Sequence, residues 1–223
     1  MFKQQSFFRK KTLRKAFFPM VLVAMLVLFT ACPRSKTTYV DLGRIPEQYL
    51  ATVPYRNGDV FRMQHESDRL IIDFTVSRHR QKETGFDHVY RYKPAPNYVY
   101  DYESDITKCT PNYPIFEVEI NFSNQYMAYE EEGMQSWAKS ANLFAVGSAR
   151  IPFFSEDCSG YEVLDSLKVC NRYYYDVFKL KSDLVSYYEE GDAIHADTYY
   201  YNYENGLLGV VMSNGEKYWL YED

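Results

Sequence analysis

From about residue 60 to the C-terminus, apolar and polar residues alternate with a period of two, which restricts the chain to strands that bury one face. Leu70, Ile72, Phe74 and Val76 alternate with Ile71, Asp73, Thr75 and Ser77; Phe61, Met63 and His65 alternate with Arg62 and Gln64, and Ser67-Asp68 is the turn between the two runs. Tyr98, Tyr100 and Tyr102 form a third run, and Phe116, Val118, Ile120 and Phe122 a fourth. Toward the C-terminus the spacing predicts a hairpin of Val163–Val169 and Arg172–Lys181 around Cys170-Asn171. Strands Asp197–Tyr203, Leu207–Met212 and Lys217–Tyr221 follow, separated by Asn205-Gly206 and Asn214-Gly215, dipeptides that accept positive φ in tight turns. All 23 tyrosines lie beyond residue 31, and Tyr suits a pleated, half-buried surface. The expected fold is all-β: a twisted antiparallel sheet curling into a sandwich or incomplete barrel, with at most one short helix. Tyr126–Ala141 is the one stretch with helical character, and Gly133 weakens it.

The charge is divided as sharply as the pattern. Residues 1–31 hold Lys3, Arg9, Lys10, Lys11, Arg14 and Lys15 and no acid, +6, whereas the chain from Cys32 onward carries 19 basic against 30 acidic residues, −11. An acidic folded part argues against nucleic-acid binding, which needs excess positive charge. Its wealth of aromatic and β-branched residues argues against disorder. The layout of a basic segment, then sixteen mostly apolar residues from Ala16 to Ala31, then a small residue at the end, is that of a secretory signal. The run contains Pro19 and falls short of the ~20 residues that a spanning helix needs.

The junction Leu28-Phe29-Thr30-Ala31-Cys32 resembles the lipobox of bacterial lipoproteins, departing from it at Phe29, where the pattern prefers Leu. The resemblance implies that the Cys32 thiol is alkylated by diacylglycerol, that the chain is cut between Ala31 and Cys32, and that the new amine is acylated with a fatty acid such as palmitate. Each buried CH₂ contributes about 0.8 kcal/mol, so several acyl chains anchor firmly. Pro33 and Arg34 follow the cysteine, without the Asp that retains enteric lipoproteins in the inner membrane and without the acidic tract of surface-exported ones. The outer membrane, facing the periplasm, is the expected location. The expected organisation is a signal peptide over 1–31, a tether over 32–38 and a single β domain over 39–223.

The C-terminal strands are similar to those of small Bacteroidota lipoproteins of unknown function: Arg172-Tyr173-Tyr174-Tyr175-Asp176-Val177-Phe178-Lys179-Leu180, Tyr199-Tyr200-Tyr201-Asn202-Tyr203-Glu204-Asn205-Gly206-Leu207-Leu208-Gly209 and Asn214-Gly215-Glu216-Lys217-Tyr218-Trp219-Leu220. This covers about a quarter of the chain and implies an envelope lipoprotein with an antiparallel sheet, and no activity. Asp165-Ser166-Leu167 fits a short acceptor pattern resembling Bacteroidota O-glycosylation, so Ser166 is a candidate for it.

No constellation of catalytic residues emerges. His65, His79, His88 and His195 are dispersed, without ligand spacing, and Gly147-Ser148-Ala149 lacks the second glycine of a nucleophile elbow. Glu130-Glu131-Glu132 and Glu189-Glu190-Gly191-Asp192 do not match a calcium loop, so no metal or cofactor is expected. Besides Cys32 there are three cysteines, Cys109, Cys158 and Cys170. At most one disulfide can form, and Cys158–Cys170 is the expected pair in an oxidising compartment. Each tyrosine triplet must place rings on both faces of its strand. Tyr173, Tyr175, Tyr199 and Tyr201 are accordingly the candidate aromatic contact surface for an envelope protein or a glycan. The expectation is a membrane-anchored, non-enzymatic binding or structural module. The alternative is a periplasmic carrier or chaperone holding an apolar ligand in the curved sheet.

Overall fold

The computed structural model describes residues 37–88, 97–124, 127–129, 135–137, 140–152, 160–182 and 194–222. Ala31 and Cys32, the predicted cleavage and lipidation residues, lie outside them, as does Cys158.

The strands are β1 (Thr37–Asp41), β2 (Val60–His65), β3 (Ile71–His88), β4 (Asn97–Pro111), β5 (Val118–Ser123), β6 (Met127–Tyr129), β7 (Gln135–Trp137), β8 (Ser140–Phe144), β9 (Ser148–Arg150), β10 (Glu162–Val169), β11 (Arg172–Lys181), β12 (Ala196–Asn202), β13 (Gly206–Met212) and β14 (Lys217–Tyr221). The single described helix, α1 (Glu47–Leu50), is one turn long. It is not where the sequence points: the described parts of Tyr126–Ala141 belong to β6, β7 and β8. Twelve strands form one sheet in the order β10-β11-β12-β13-β14-β2-β3-β4-β5-β8-β9, with β1 on β4; β6 and β7 make a separate pair. The all-β antiparallel expectation therefore holds. Two meanders, β2 to β5 and β10 to β14, are joined by β14 lying antiparallel against β2, with Tyr218 opposite His65 and Leu220 opposite Met63.

The chain divides into two compact units, a small one made of Met1–Tyr39 and Phe86–Val99 and a larger one made of Val40–Gly85 and Tyr100–Asp223. In the larger unit the sheet curls into a half-barrel. Its far end meets β12 through isolated bonds rather than a ladder: Ala196 N–H donates to the Val146 carbonyl at 2.9 Å, the Tyr199 hydroxyl to the Ala145 carbonyl at 3.2 Å, and the Tyr203 hydroxyl to the Pro152 carbonyl at 2.9 Å. The interior is the main core. Tyr199, Tyr201, Phe74, Phe122 and Met63 are among its largest fully buried side chains. Alternation places Val118, Ile120 and Phe122 of β5 and Ile72, Phe74 and Val76 of β3 inside, as their spacing predicts.

One polar node holds the 45–55 segment over this core. Arg78 continues the inward register of Phe74 and Val76, and all five of its N–H donors are used. Nε reaches both oxygens of Asp105, at 3.1 and 2.9 Å; one terminal nitrogen donates to the Val53 and Tyr55 carbonyls at 2.9 and 2.7 Å; the other donates to Asp105 and to the Leu50 carbonyl. The Asp105 side chain is 1% exposed, so pairing and full hydrogen bonding are what make its charge tolerable there. The Tyr201 hydroxyl donates to the Thr52 carbonyl, and the Tyr55 hydroxyl accepts from Leu207 N–H at 2.8 Å.

Candidate functional site: an aromatic face on the β10–β11 hairpin

The hairpin is built from an edge strand, β10, and its neighbour β11, joined at Cys170-Asn171. Cys170 adopts φ 51, which reverses the chain in two residues and is an unusual conformation for a side chain without glycine's freedom. Asp176, at φ 50, makes a second irregularity: Leu164 lies opposite Val177 and Ser166 opposite Tyr175, so the register is kept, but the ladder skips Asp165 and Asp176 between them. Tyr174 and Val177 are thereby both buried, although three residues apart, in a second cluster with Val169, Leu208 and Leu220, flanked by Leu164, Leu167, Tyr200 and Trp219.

That packing settles the other face. Tyr173 and Tyr175 flank the buried Tyr174 and are 55% and 64% exposed. Residues two apart on a strand are about 7 Å apart, so the rings form a short exposed row. Opposite them stand Lys168 and Ser166, and the Lys168 ammonium lies 5.8 Å from the centre of the Tyr173 ring, a cation–π contact. Ser166 is exposed. The arrangement is two aromatic surfaces flanked by the Ser166 hydroxyl and the Lys168 ammonium. It can stack on flat apolar surfaces and exchange hydrogen bonds at their edges, and it contains no activated nucleophile.

Tyr199 and Tyr201 do not share in it, which corrects the four-residue contact surface. Both are fully buried. In the ladder, Tyr201 lies opposite Phe178 and Tyr199 opposite Leu180, side chains of the main core, whereas Tyr173 and Tyr175 lie opposite the edge strand. Burial pushes the Tyr199 hydroxyl up to about 12 and that of Tyr201 well above the usual tyrosine value, so both stay neutral hydrogen-bond donors. In this triplet it is Tyr200 that faces the second cluster, against Trp219 with ring centres 5.3 Å apart.

Cys109 is a buried free thiol whose pKa burial raises to about 12, so it is not a thiolate nucleophile at neutral pH. Cys170 is a free, exposed thiol; the expected bridge to Cys158 falls outside the described residues. Among the described residues, no group of three or more His, Cys, Asp or Glu side chains is placed to hold a metal ion. Sequence reasoning passed over Arg78 and Asp105. The usable signal was a guanidinium on the inward side of β3, where Phe74 and Val76 precede it. No protein family, curated protein or solved structure compared with this chain matches it.

Proposed function

We propose that the chain is a lipid-anchored bacterial envelope protein, of the small Bacteroidota kind, that acts as a non-enzymatic binding module and presents the β10–β11 face to an envelope protein or glycan. The observation that supports this most is the pair of exposed rings, Tyr173 and Tyr175, on a hairpin whose opposite face is packed. Large aromatics held rigidly by a packed strand lose little entropy on binding, and this makes them effective contact residues. The anchor rests on the basic segment, the apolar run and Thr30-Ala31-Cys32. The outer membrane, facing the periplasm, is the location we propose. A carrier would need room inside the half-barrel, and the bulk of Tyr199, Tyr201, Phe74 and Phe122 in that interior weighs against it.

Two measurements test the reading. Metabolic labelling with a palmitate analogue should mark the wild type and not Cys32→Ala; an unlabelled wild type removes the anchor. Crosslinking in intact envelopes should capture a partner whose yield falls by about tenfold in the double variant Tyr173→Ser/Tyr175→Ser. Equal yield from the two proteins removes the aromatic face.

A further inference from the structure

The two ends of the large sheet differ. One is β9, three residues long, where the Val146 and Ala145 carbonyls of the preceding turn are tied to Ala196 and Tyr199. The other is β10, eight residues long, and among the described residues no hydrogen bond reaches its backbone from any strand but β11. From Val169 opposite Arg172 to Ser166 opposite Tyr175, the β10–β11 pairs follow one another without a break. The pair that flanks a two-residue turn is hydrogen-bonded, and bonding direction alternates along an antiparallel strand, so the N–H and C=O of Lys168 and Ser166 point away from β11. An unpaired row of this kind is a template for another strand, and β10 contains no Pro to blunt it.

We infer that the partner of the β10–β11 face is a protein, and that it binds by adding an extended segment to the outer edge of β10. The inference rests on the proposed aromatic face and names the class of its partner. The added strand would lie beside Ser166, whose short side chain is all that stands between it and the exposed Tyr175, so that ring can reach across β10 to cover it. Main-chain bonds along the edge would supply affinity, and the side chains that border it would supply selectivity. Among these, Glu162 is engaged by Lys179 at 2.8 Å, whereas Asp165 and Lys168 are exposed and have no ionic partner among the described residues. The segment that fits carries an acid opposite Lys168 and a base opposite Asp165, with Val163, 42% exposed, left for an apolar side chain. A second copy of β10 does not fit. Antiparallel copies are related by a two-fold axis through the sheet, which sets one residue opposite its own equivalent, so Asp165 of one copy never stands directly opposite Lys168 of the other.

The test crosslinks the full-length protein in intact envelopes and compares Ser166→Ala with Ser166→Pro. Because the Ser166 N–H points outward, both variants should keep the parent's urea midpoint. Ser166→Ala should hold the yield of a protease-sensitive adduct within about twofold, and Ser166→Pro, which also removes the backbone donor, should lower it about tenfold. Lys168→Glu should lower it about threefold. If the proline variant loses the parent's midpoint, hydrogen exchange of the wild type decides instead: the Ser166 and Lys168 amides should exchange about tenfold more slowly in envelopes than in the purified protein. Equal yields from the alanine and proline variants, or unprotected amides, overturn strand addition. The aromatic face then still stands if Tyr173→Ser/Tyr175→Ser loses the adduct. An adduct that resists proteases, as a glycan would, or one made of two copies of this chain, also overturns strand addition, and the lack of any adduct overturns both readings.

Discussion

Arg78 and Asp105 occupy positions where alternation would seat apolar side chains, and the node they form decides how the 45–55 segment lies on the core. Removing Asp105 as Asp105→Asn leaves a guanidinium that still donates to three carbonyls but has lost its countercharge. Breaking a buried pair in this way costs about 3–5 kcal/mol, read as a lower urea midpoint. Gly206 is a second sensitive position. Its φ is 78, and an added Cβ would lie 2.5 Å from the Tyr55 ring, so Gly206→Ala should destabilise by about 2 kcal/mol by the same measurement. Gly215 also has positive φ, 88, with open space around it, and Gly215→Asn should stay within about 1 kcal/mol because Asn tolerates that conformation. Both glycines follow an asparagine, and the dipeptide by itself does not distinguish them. Only the ring packed on Gly206 does.

The two tyrosine triplets separate structure from surface at the scale of the element. Tyr201→Phe removes the donor to the buried Thr52 carbonyl and should cost about 1–3 kcal/mol, the penalty of an unsatisfied polar group. Tyr175→Ser, on the exposed face, should change the urea midpoint by no more than about 0.5 kcal/mol equivalent. Equal effects from the two substitutions would contradict the division of roles between β11 and β12. The hairpin itself was legible: the period-two spacing and the turn at Cys170-Asn171 mark β10 and β11 almost to the residue. What alternation leaves open is which half of β11 borders the edge strand and which half borders β12. Phe178 and Leu180 align with Tyr201 and Tyr199, and Asp176, with its positive φ, separates them from the exposed half. α1 was not legible because four residues carry too little periodicity to register. Its helical form is imposed by the core under Leu50 and by Arg78 on the Leu50 carbonyl.

In the larger unit as a whole, the buried hydroxyls and the thiol predict alkaline sensitivity. Tyr199 and Cys109 are raised to about 12 from ordinary values of 10.0 and 9.0, and the same desolvation raises Tyr55 and Tyr201 well above the ordinary tyrosine value. In each case the fold favours the neutral form, so the unfolded chain releases the proton first. Their stabilisation is complete below the unfolded values and is lost as pH rises toward about 12. The urea midpoint should therefore fall between about pH 9 and about pH 11, and the fall should be shallower in Tyr199→Phe. A flat profile over that range would show that these groups titrate as they do in the unfolded chain.

Period-two alternation, turn dipeptides and the +6 and −11 division were enough to determine the all-β class, the hairpins and an expected envelope address, because each is written in neighbouring residues. The pairing of β14 with β2, the closure of β12 on the β8–β9 end and the burial of Tyr199 and Tyr201 were decided only in three dimensions. The physical reason is that alternation names the residues that share a face, and burial depends on what covers that face. The cover comes from residues more than a hundred positions away, as with Thr52 over Tyr201, and it is missing over Tyr173 and Tyr175 beside the edge strand.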